Sequence, residues 1–316
     1  MVLITGATGF IGKRLSELLE RQGVPCRLLA RQQTPGTAVI AADLGNSSAL
    51  QAACHGVETI FHCAGYAHAF ASSAEDARLH WQINYEGTRN LLDAAVSQGV
   101  KRFVFISTVK AMAEPGEACV NEDHPGEPET DYGRAKRAAE RLVLATGSQY
   151  GMHVVNLRLA MVYGAGGNGN LERMARLVRR GLFPPLPETG NRRSLVHVTD
   201  VLSAMQLVSR DPRANGRTYT IVGPESPSGR QLMNEIRHVV GRPEPAWSVP
   251  MPVLKLAAGI GDLWKRLLGR RFIFDTEVLS RLVGSACYSG ERIRAELGWQ
   301  PSTMVREGLR EMLRGE

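Results

Sequence analysis

The start of the chain restricts its fold more than any other stretch. Val2-Leu3-Ile4-Thr5 is a short apolar run, Gly6-Ala7-Thr8-Gly9-Phe10-Ile11-Gly12 spreads three glycines over the turn that follows, and Lys13-Arg14-Leu15-Ser16-Glu17-Leu18-Leu19-Glu20 has a helical apolar pattern. That succession reads as strand, tight turn and helix. Such a turn brings backbone N–H groups close to an anion, and the helix N-terminus adds partial positive charge, which suits a dinucleotide pyrophosphate. Gly6, Thr8, Gly9, Phe10 and Ile11 are the residues expected to cradle it. The Gly-x-x-Gly-x-x-Gly spacing differs from the Gly-x-Gly-x-x-Gly fingerprint, and glycine turns also occur where nothing binds. The rest of the chain has to decide.

With 316 residues, 43% hydrophobic and 22% charged, the chain can bury a large core as one domain or two. Lys and Arg number 38 against 31 for Asp and Glu, a formal charge of +7. The arginines are scattered and no nucleic-acid motif accompanies them, so a small anionic ligand is the expected partner rather than nucleic acid. Cys26, Cys54, Cys63, Cys119 and Cys287 show no metal-ligand spacing, so no metal site is expected, and the odd number suggests a reducing cytoplasm. No signal peptide precedes the first strand, and cytoplasmic localisation is expected. The longest apolar stretch, 249–268, is broken by Lys255, Asp262, Lys265 and Arg266, which excludes a membrane span. Leu256, Ile260, Leu263, Trp264 and Leu267 recur in it at helical spacing, as in a core or dimer helix, with a membrane-surface helix as the alternative.

Strands and helices then alternate. Residues 25–31 form a second strand ending at Arg31, where an acid would bind the adenosine ribose of NAD and a base can accommodate the 2′-phosphate of NADP. Arg31 therefore favours NADP(H) over NAD(H), although it can also be a solvated loop charge. Residues 39–44 form a third strand whose Asp43 either reaches the adenine amine or caps the next helix. A fourth strand, 57–65, ends in Cys63, Ala64 and Gly65, small enough for close cofactor approach, and its His62 reads as a satisfied strand-end histidine. A helix carries 83–92, and a fifth strand, 101–108, finishes on Ser107 and Thr108. This alternation predicts an α/β fold with a doubly wound parallel sheet.

Residues 113–130, rich in Glu, Pro and Gly, read as a loop over the site, and Asp131 opens a helix. Tyr132 and Lys136 are four apart and share one helical face. An ammonium about 4 Å from a phenol contributes up to roughly 4 kcal/mol of attraction to its anion at an effective dielectric of 20, before desolvation. Lys136 is therefore expected to make the Tyr132 phenolate accessible, with Thr108 adding a hydroxyl to the same substrate oxygen.

Taken together, Gly6 to Gly12, Asp43-Leu44, His62-Cys63-Ala64-Gly65, Ser107-Thr108 and Tyr132-x-x-x-Lys136 resemble the extended short-chain dehydrogenase/reductase family, in its epimerase/dehydratase branch, over essentially the whole chain. The resemblance implies catalysis by Thr108, Tyr132 and Lys136, and cofactor contacts from the glycine turn, Arg31, Asp43, Leu44, Cys63, Ala64, Gly65, Tyr132 and Lys136. It makes Asn84 an organising residue. The second half looks like the nucleotide-sugar branch: 157–164 sits where that branch ends its sixth strand, and 191–201 resembles the segment returning to the sheet beside the nucleotide sugar. Arg193, ahead of Arg192, is the pyrophosphate ligand implied, since guanidinium offers paired donors. His197 and Asp200 read as a buried hydrogen-bonding turn. Asn168-Gly169-Asn170-Leu171, Arg179-Arg180-Gly181-Leu182 and 191–195 resemble a bacterial surface-polysaccharide subgroup of UDP-4-keto-6-deoxy-N-acetylhexosamine reductases and UDP-hexosamine 4-epimerases, with Asn170 a substrate contact. Met161 replaces the asparagine that most family epimerases and dehydratases use on substrate, and Ala160 also lacks a polar handle. Residues 291–301 resemble the family's closing helix and Leu-Gly-Trp-x-Pro turn.

The expected organisation is a Rossmann domain over 1–165, completed by 192–223, and a smaller nucleotide-sugar domain from 166–191 and 224–316, broken up by prolines. The leading function is reduction of a nucleotide-linked 4-keto-(6-deoxy)hexose, probed against two others: a 4-epimerase that retains NAD, and a catalytically silent NAD(P)-binding sensor. The intact Thr108, Tyr132 and Lys136 set argues against the last. The resemblance also implies a homodimer built on the helices over 83–92 and 132–144.

Overall fold

The computed structural model describes residues 1–32, 39–67, 73–167, 169–268 and 274–314. Its strands are β1 Val2–Thr5, β2 Cys26–Ala30, β3 Val39–Ala41, β4 Thr59–His62, β5 Arg102–Thr108, β6 Cys119–Val120, β7 His153–Leu159, β8 Met161–Tyr163, β9 Leu195–His197, β10 Arg217–Ile221 and β11 Cys287–Tyr288. The first five helices are α1 Phe10–Arg21, α2 Ser47–Cys54, α3 Ala74–His80, α4 Gly87–Ser97 and α5 Asp131–Tyr150. The remainder are α6 Asn170–Arg180, α7 Val198–Arg210, α8 Gly229–Val239, α9 Met251–Leu268, α10 Thr276–Val283, α11 Glu291–Leu297 and α12 Val305–Arg314.

Seven strands form one sheet in the order β10-β7-β5-β4-β1-β2-β3, with every neighbouring pair parallel. A strand buried on both faces sends alternate side chains to opposite sides. Leu3, Ile60, Phe103 and Phe105 enter one core with α2, α4 and α5, while Ile4, Phe61, Val104 and Ile106 enter a second with α1 and α7. The sheet is thus doubly wound, as its sequence pattern predicts. Chain order reverses across the β4/β1 pair, where open α/β sheets place their ligand crevice. A third core joins side chains of α6, α8, α9, α10 and α12 with Tyr163, Phe183 and Leu195.

Three local expectations are corrected. The sixth strand does not run through to Gly164: β7 ends at Leu159, Ala160 still donates its N–H to Ile221 O, and β8 turns away to pair with β9. Residues 113–130 are not all loop, because β6 pairs in parallel with β11 and aligns Cys119 with Cys287. Those two cysteines form a disulfide with Cα atoms 4.4 Å apart, so thiol number alone does not specify a reducing compartment. Cys26, Cys54 and Cys63 are free. The third correction concerns α9. Among its described side-chain positions Leu254, Ala258 and Gly261 are buried, whereas Leu256, Ile260, Leu263 and Trp264 are each at least half exposed. Of the core or dimer helix expected here, the core option is the one corrected, because the apolar stripe points outward; the side chain of Leu267 lies outside the described residues.

The turn between β1 and α1 is held by close backbone packing. A Cβ on Gly12 would sit 2.3 Å from Gly6 O and 2.9 Å from its carbonyl carbon. Gly259, within α9, has open space at the same test. Overpacking costs about 1–3 kcal/mol, and relieving a mid-helix glycine gains about 0.5–1 kcal/mol. Gly12→Ala is therefore expected to lower the thermal unfolding midpoint by several degrees and Gly259→Ala to raise it slightly, both measurable by calorimetry.

Candidate active site

The crevice is built at the carboxyl ends of β1, β4 and β5. Gly6 adopts φ +66°, the left-handed region open to glycine, and a Cβ there would lie 2.7 Å from the N and Cα of Ala64. Gly9 N–H donates to Gly6 O at 2.9 Å and closes the turn, and no side chain caps the N-terminus of α1. Thr8 and Gly9 are exposed there, beside half-buried Phe10 and Ile11. Ala64 N–H is tied to Thr5 Oγ1 at 3.2 Å, which holds Cys63, Ala64 and Gly65 against the turn. Backbone donors at a helix N-terminus, with no Cβ in the way, fit the approach of a dinucleotide pyrophosphate.

Arg31 is exposed immediately past β2, the strand beside β1. Asp43 is exposed beyond β3, but it does not cap α2. Its Oδ1 accepts from Gly45 N–H at 2.8 Å, and Asn46 is the cap, accepting from Ala49 N–H at 3.1 Å. Leu44 is buried against α4, where Asn90 Nδ2 donates to its carbonyl at 3.0 Å. His62 is structural, as read from its position. It bridges Thr5 Oγ1 at 2.6 Å and Thr88 Oγ1 at 3.0 Å, and burial pushes its pKa down to about 3.

Tyr132 enters from the first turn of α5. Thr130 caps that helix by accepting from Gly133 N–H at 3.1 Å, and Gly133 packs so closely that a Cβ would be 2.1 Å from Lys110 O. The missing side chain lets α5 settle on the backbone just beyond β5, where the Thr108 hydroxyl hydrogen-bonds Tyr132. Lys136, one turn on, is buried; its Nζ donates to Ile106 O at 2.8 Å and lies 4.4 Å from the centre of the Phe105 ring. Thr108, Tyr132 and Lys136 thus converge on the end of β5.

Their electrostatics depart from the sequence expectation of an accessible phenolate. Burial pushes the Tyr132 phenol up to about 12, the Thr108 hydrogen bond acting partly against it. Burial also brings Lys136 down to about 8, with Glu140 and then Cys63 opposing the shift. Desolvation outweighs the attraction expected from the four-residue spacing. In this form Tyr132 is a proton donor at neutral pH.

The sequence reading did not single out the next residue on that helical face. Glu140 accepts from Ser107 Oγ at 2.5 Å and binds Arg158 in a two-pronged ion pair, with Nη2 to Oε2 at 2.7 Å and Nε to Oε1 at 3.0 Å. Arg158 also donates to Glu122 O at 3.2 Å. The repeat Tyr132, Lys136, Glu140 was the signal that could have exposed it. A π-helical turn, Trp81–Glu86, buries Asn84, whose Oδ1 accepts from Tyr66 N–H at 2.9 Å and whose Nδ2 donates to Tyr66 O at 3.0 Å. A Cβ on Gly65 would come within 3.0 Å of this Oδ1 and 3.4 Å of Lys136 Nζ. The His80 ring lies between those of Tyr66 and Tyr132, tilted by 55° and 52° to them with ring centres 4.9 and 5.4 Å away.

A separate cavity of about 590 Å³ opens between α6 and α10. Arg193, Asn170 and Met161 line it together with Arg180 and Arg281, whereas Thr108, Tyr132 and Lys136 do not. Arg193 Nη1 donates to Gly284 O at 3.0 Å, and its backbone bridges Ala286. Arg192 is exposed and outside the lining; Asn168 lies outside the described residues. Asp200 forms the expected buried turn by accepting from Ser302 N–H at 3.0 Å and Thr303 N–H at 3.2 Å. His197 departs from it: neither ring nitrogen has a hydrogen bond, and Nε2 lies 3.7 Å from Glu311 Oε2. Trp299, in the closing turn, donates from Nε1 to Ser203 Oγ at 3.0 Å. Among the described residues no group of three His, Cys, Asp or Glu side chains is placed to hold a metal ion.

Comparison with known proteins agrees with this architecture. The UDP-glucose 4-epimerase of Vibrio cholerae is 28% identical over 324 aligned positions, covering 98% of this chain and 93% of that one. The 2-alkyl-3-oxoalkanoate reductase of Stenotrophomonas maltophilia is 27% identical, covering 98% of each. The structure of MoeE5 in complex with UDP-glucuronic acid and NAD superposes with a TM-score of 0.78 at 26% identity, covering 99% of this chain and 98% of that one. The model of the NAD dependent epimerase/dehydratase family matches residues 2–222, from the first strand through the last strand of the sheet. The chain belongs to that family, and is an NAD(P)-dependent enzyme of the extended short-chain dehydrogenase/reductase type.

Proposed function

We propose that the chain is an NAD(P)H-dependent reductase of a nucleotide-linked 4-keto-(6-deoxy)hexose, UDP-linked in particular. The observation that carries this reading is the convergence of Thr108, Tyr132 and buried Lys136 on the end of β5 beside the glycine cradle, with burial favouring the proton-bearing form of the phenol. Reduction needs a proton donor at the ketone oxygen; an epimerase begins by needing a base. A reduced nicotinamide, when bound, supplies the hydride for C4. Tyr132 delivers the proton to the carbonyl oxygen, and Thr108 polarises that oxygen. Lys136, fixed by Ile106 O, holds the cofactor ribose and keeps positive charge beside the phenol as it gives up its proton.

In the same reading Gly6, Thr8, Gly9, Phe10, Ile11, Asp43, Leu44, Cys63, Ala64 and Gly65 surround the dinucleotide. Arg31 selects NADP(H), and Asn170 and Arg193 take the UDP moiety, the guanidinium meeting the diphosphate. The smaller domain of 166–191 and 224–316 supplies Asn170 to this second part of the site, and the segment 192–223 that completes the Rossmann domain supplies Arg193. A homodimer through the helices over 83–92 and 132–144 completes the proposal. The likeness to the Vibrio cholerae 4-epimerase supports a second reading, C4 epimerisation with retained NAD, which uses the same side chains.

Cofactor economy separates the two. Purified protein given UDP-4-keto-6-deoxy-GlcNAc and NADPH is expected to consume reduced cofactor mole for mole, read at its absorbance maximum; interconversion of UDP-GlcNAc and UDP-GalNAc without net consumption would favour the epimerase. Tyr132→Phe should cut turnover by about 10²–10⁴ while leaving NADPH affinity within about twofold. With Lys136 near 8 and Tyr132 near 12, the rate should hold below pH 8 and decline above it as Lys136 loses its proton. Arg31→Ala should weaken NADPH by about tenfold and leave NADH nearly unchanged. Arg193→Ala should raise KM by about tenfold or more with a smaller change in kcat.

A further inference from the structure

Glu140 is a buried acid that the proposed reaction leaves without a task. It stands four residues after Lys136 on α5, so the two side chains share one helical face, and the residues are 3% and 4% exposed. Every hydrogen bond to its side chain is donated to it. Ser107 Oγ donates to Oε1 at 2.5 Å, Arg158 Nε to Oε1 at 3.0 Å and to Oε2 at 3.2 Å, and Arg158 Nη2 to Oε2 at 2.7 Å. This is the pattern of a carboxylate, which accepts and does not donate.

The clamp meets the reacting groups on one strand. Ser107 lies between Ile106, whose carbonyl accepts from Lys136 Nζ at 2.8 Å, and Thr108, whose hydroxyl bonds Tyr132. Arg158 is the partner of Ser107 in the β5–β7 register, so the acid is gripped from two neighbouring strands.

The other groups around Lys136 supply no negative charge at neutral pH. Burial holds the Tyr132 phenol and the Cys63 thiol up at about 12, and it keeps the His62 imidazole neutral by bringing it down to about 3. The His80 ring faces Tyr132 from the end of α3, and Lys110, in the turn after β5, is paired with Glu114. Among the described residues, Glu140 is therefore the anion set against the Lys136 ammonium, and it is the foremost group opposing the effect of burial there. A buried ammonium loses its charge readily unless an anion stands close by. Without Glu140 that support is gone and the Arg158 guanidinium is left uncompensated, so both changes act against the charge on Lys136.

Resting on the reading of Lys136 as the cation beside the phenol, we propose that Glu140, gripped by Arg158 and Ser107, is a positioning residue that keeps Lys136 charged and so sets the upper pH limit of turnover.

The test follows Lys136 directly, by 13C NMR of the full chain carrying lysine labelled at Cε, its signal assigned by loss in Lys136→Met. Glu140→Gln should lower the Lys136 titration midpoint by about one pH unit or more, and Glu140→Asp, which keeps the charge, should hold it within about half a unit. Turnover by Glu140→Gln should lie within about threefold of the wild type at pH 6 and fall to about a tenth of it at pH 8.5. If Glu140→Gln fails to fold, Glu140→Gln combined with Arg158→Met removes both buried charges together and should still lower the midpoint by about half a unit. A midpoint unmoved in the folded variant, an Asp variant shifted as far as the Gln variant, or a rate lost equally at pH 6 and pH 8.5 would overturn the proposal, since a purely structural clamp gives those results. The NMR titration needs no turnover, so it decides the role of Glu140 even if the reductase reading fails.

Discussion

The site depends on backbone touching backbone where β1 turns into α1. Gly6 and Gly12 stand where a single methyl group would strike the Gly6 carbonyl or the amide of Ala64. This closeness does two things with one geometry. It lets α1 start directly above the end of β1, aiming its first N–H groups into the crevice, and it keeps the end of β4 next to that helix. Thr5 and His62 reinforce the junction from below: the imidazole, kept neutral by burial, ties the end of β1 to Thr88 at the start of α4. A strand end, a turn and two helices are therefore fixed before any catalytic side chain is considered.

A second constraint is electrical. Lys136, Glu140 and Arg158 are all at most 8% exposed and lie behind Tyr132. An isolated charge in such a place is costly, and burying a pair is rarely a net gain, yet removing one member leaves the other uncompensated. Glu140 spends its oxygens on Ser107 and on both prongs of Arg158, and Lys136 spends a donor on Ile106 O. The result is a rigid floor beneath the phenol, linked through Ser107 to the strand that also presents Thr108. Burial works in opposite directions on the two ionisable groups above it, keeping the phenol protonated and lowering the ammonium toward the physiological range.

Much of this is legible in the chain because it is local. The alternation of Leu3 with Ile4 and of Phe103 with Val104 gives the strands, and the glycine spacing gives the turn. Thr130, as helix cap, and Gly133 set Tyr132 at the start of its helix. What escapes the sequence is long-range or directional. Helical spacing over 253–264 reveals that one face is apolar but not which way that face looks, and tertiary packing chose Leu254 and Ala258 instead. Glu140 is polar on a helix, ordinarily a solvated residue, until Arg158 arrives from a different strand. His197 looks like a hydrogen-bonding residue by type, yet it sits among Tyr163, Gly164 and Glu311 with no bond to its ring nitrogens. Cys119 and Cys287 are 168 residues apart, and only the short β6–β11 pairing brings them into register.

That pairing changes the topology of the molecule. With Cys119 joined to Cys287, the chain between them is a closed covalent ring that contains α5, β7, the cavity helix α6 and the whole of α9. The glycine cradle and the end of β5 lie on the arm entering the ring, and the closing Trp299 turn on the arm leaving it. A single backbone cut inside the ring leaves one covalent molecule, because the helix bearing Tyr132 and Lys136 is joined to Cys119, at the end of the arm that carries Thr108, by two routes rather than one.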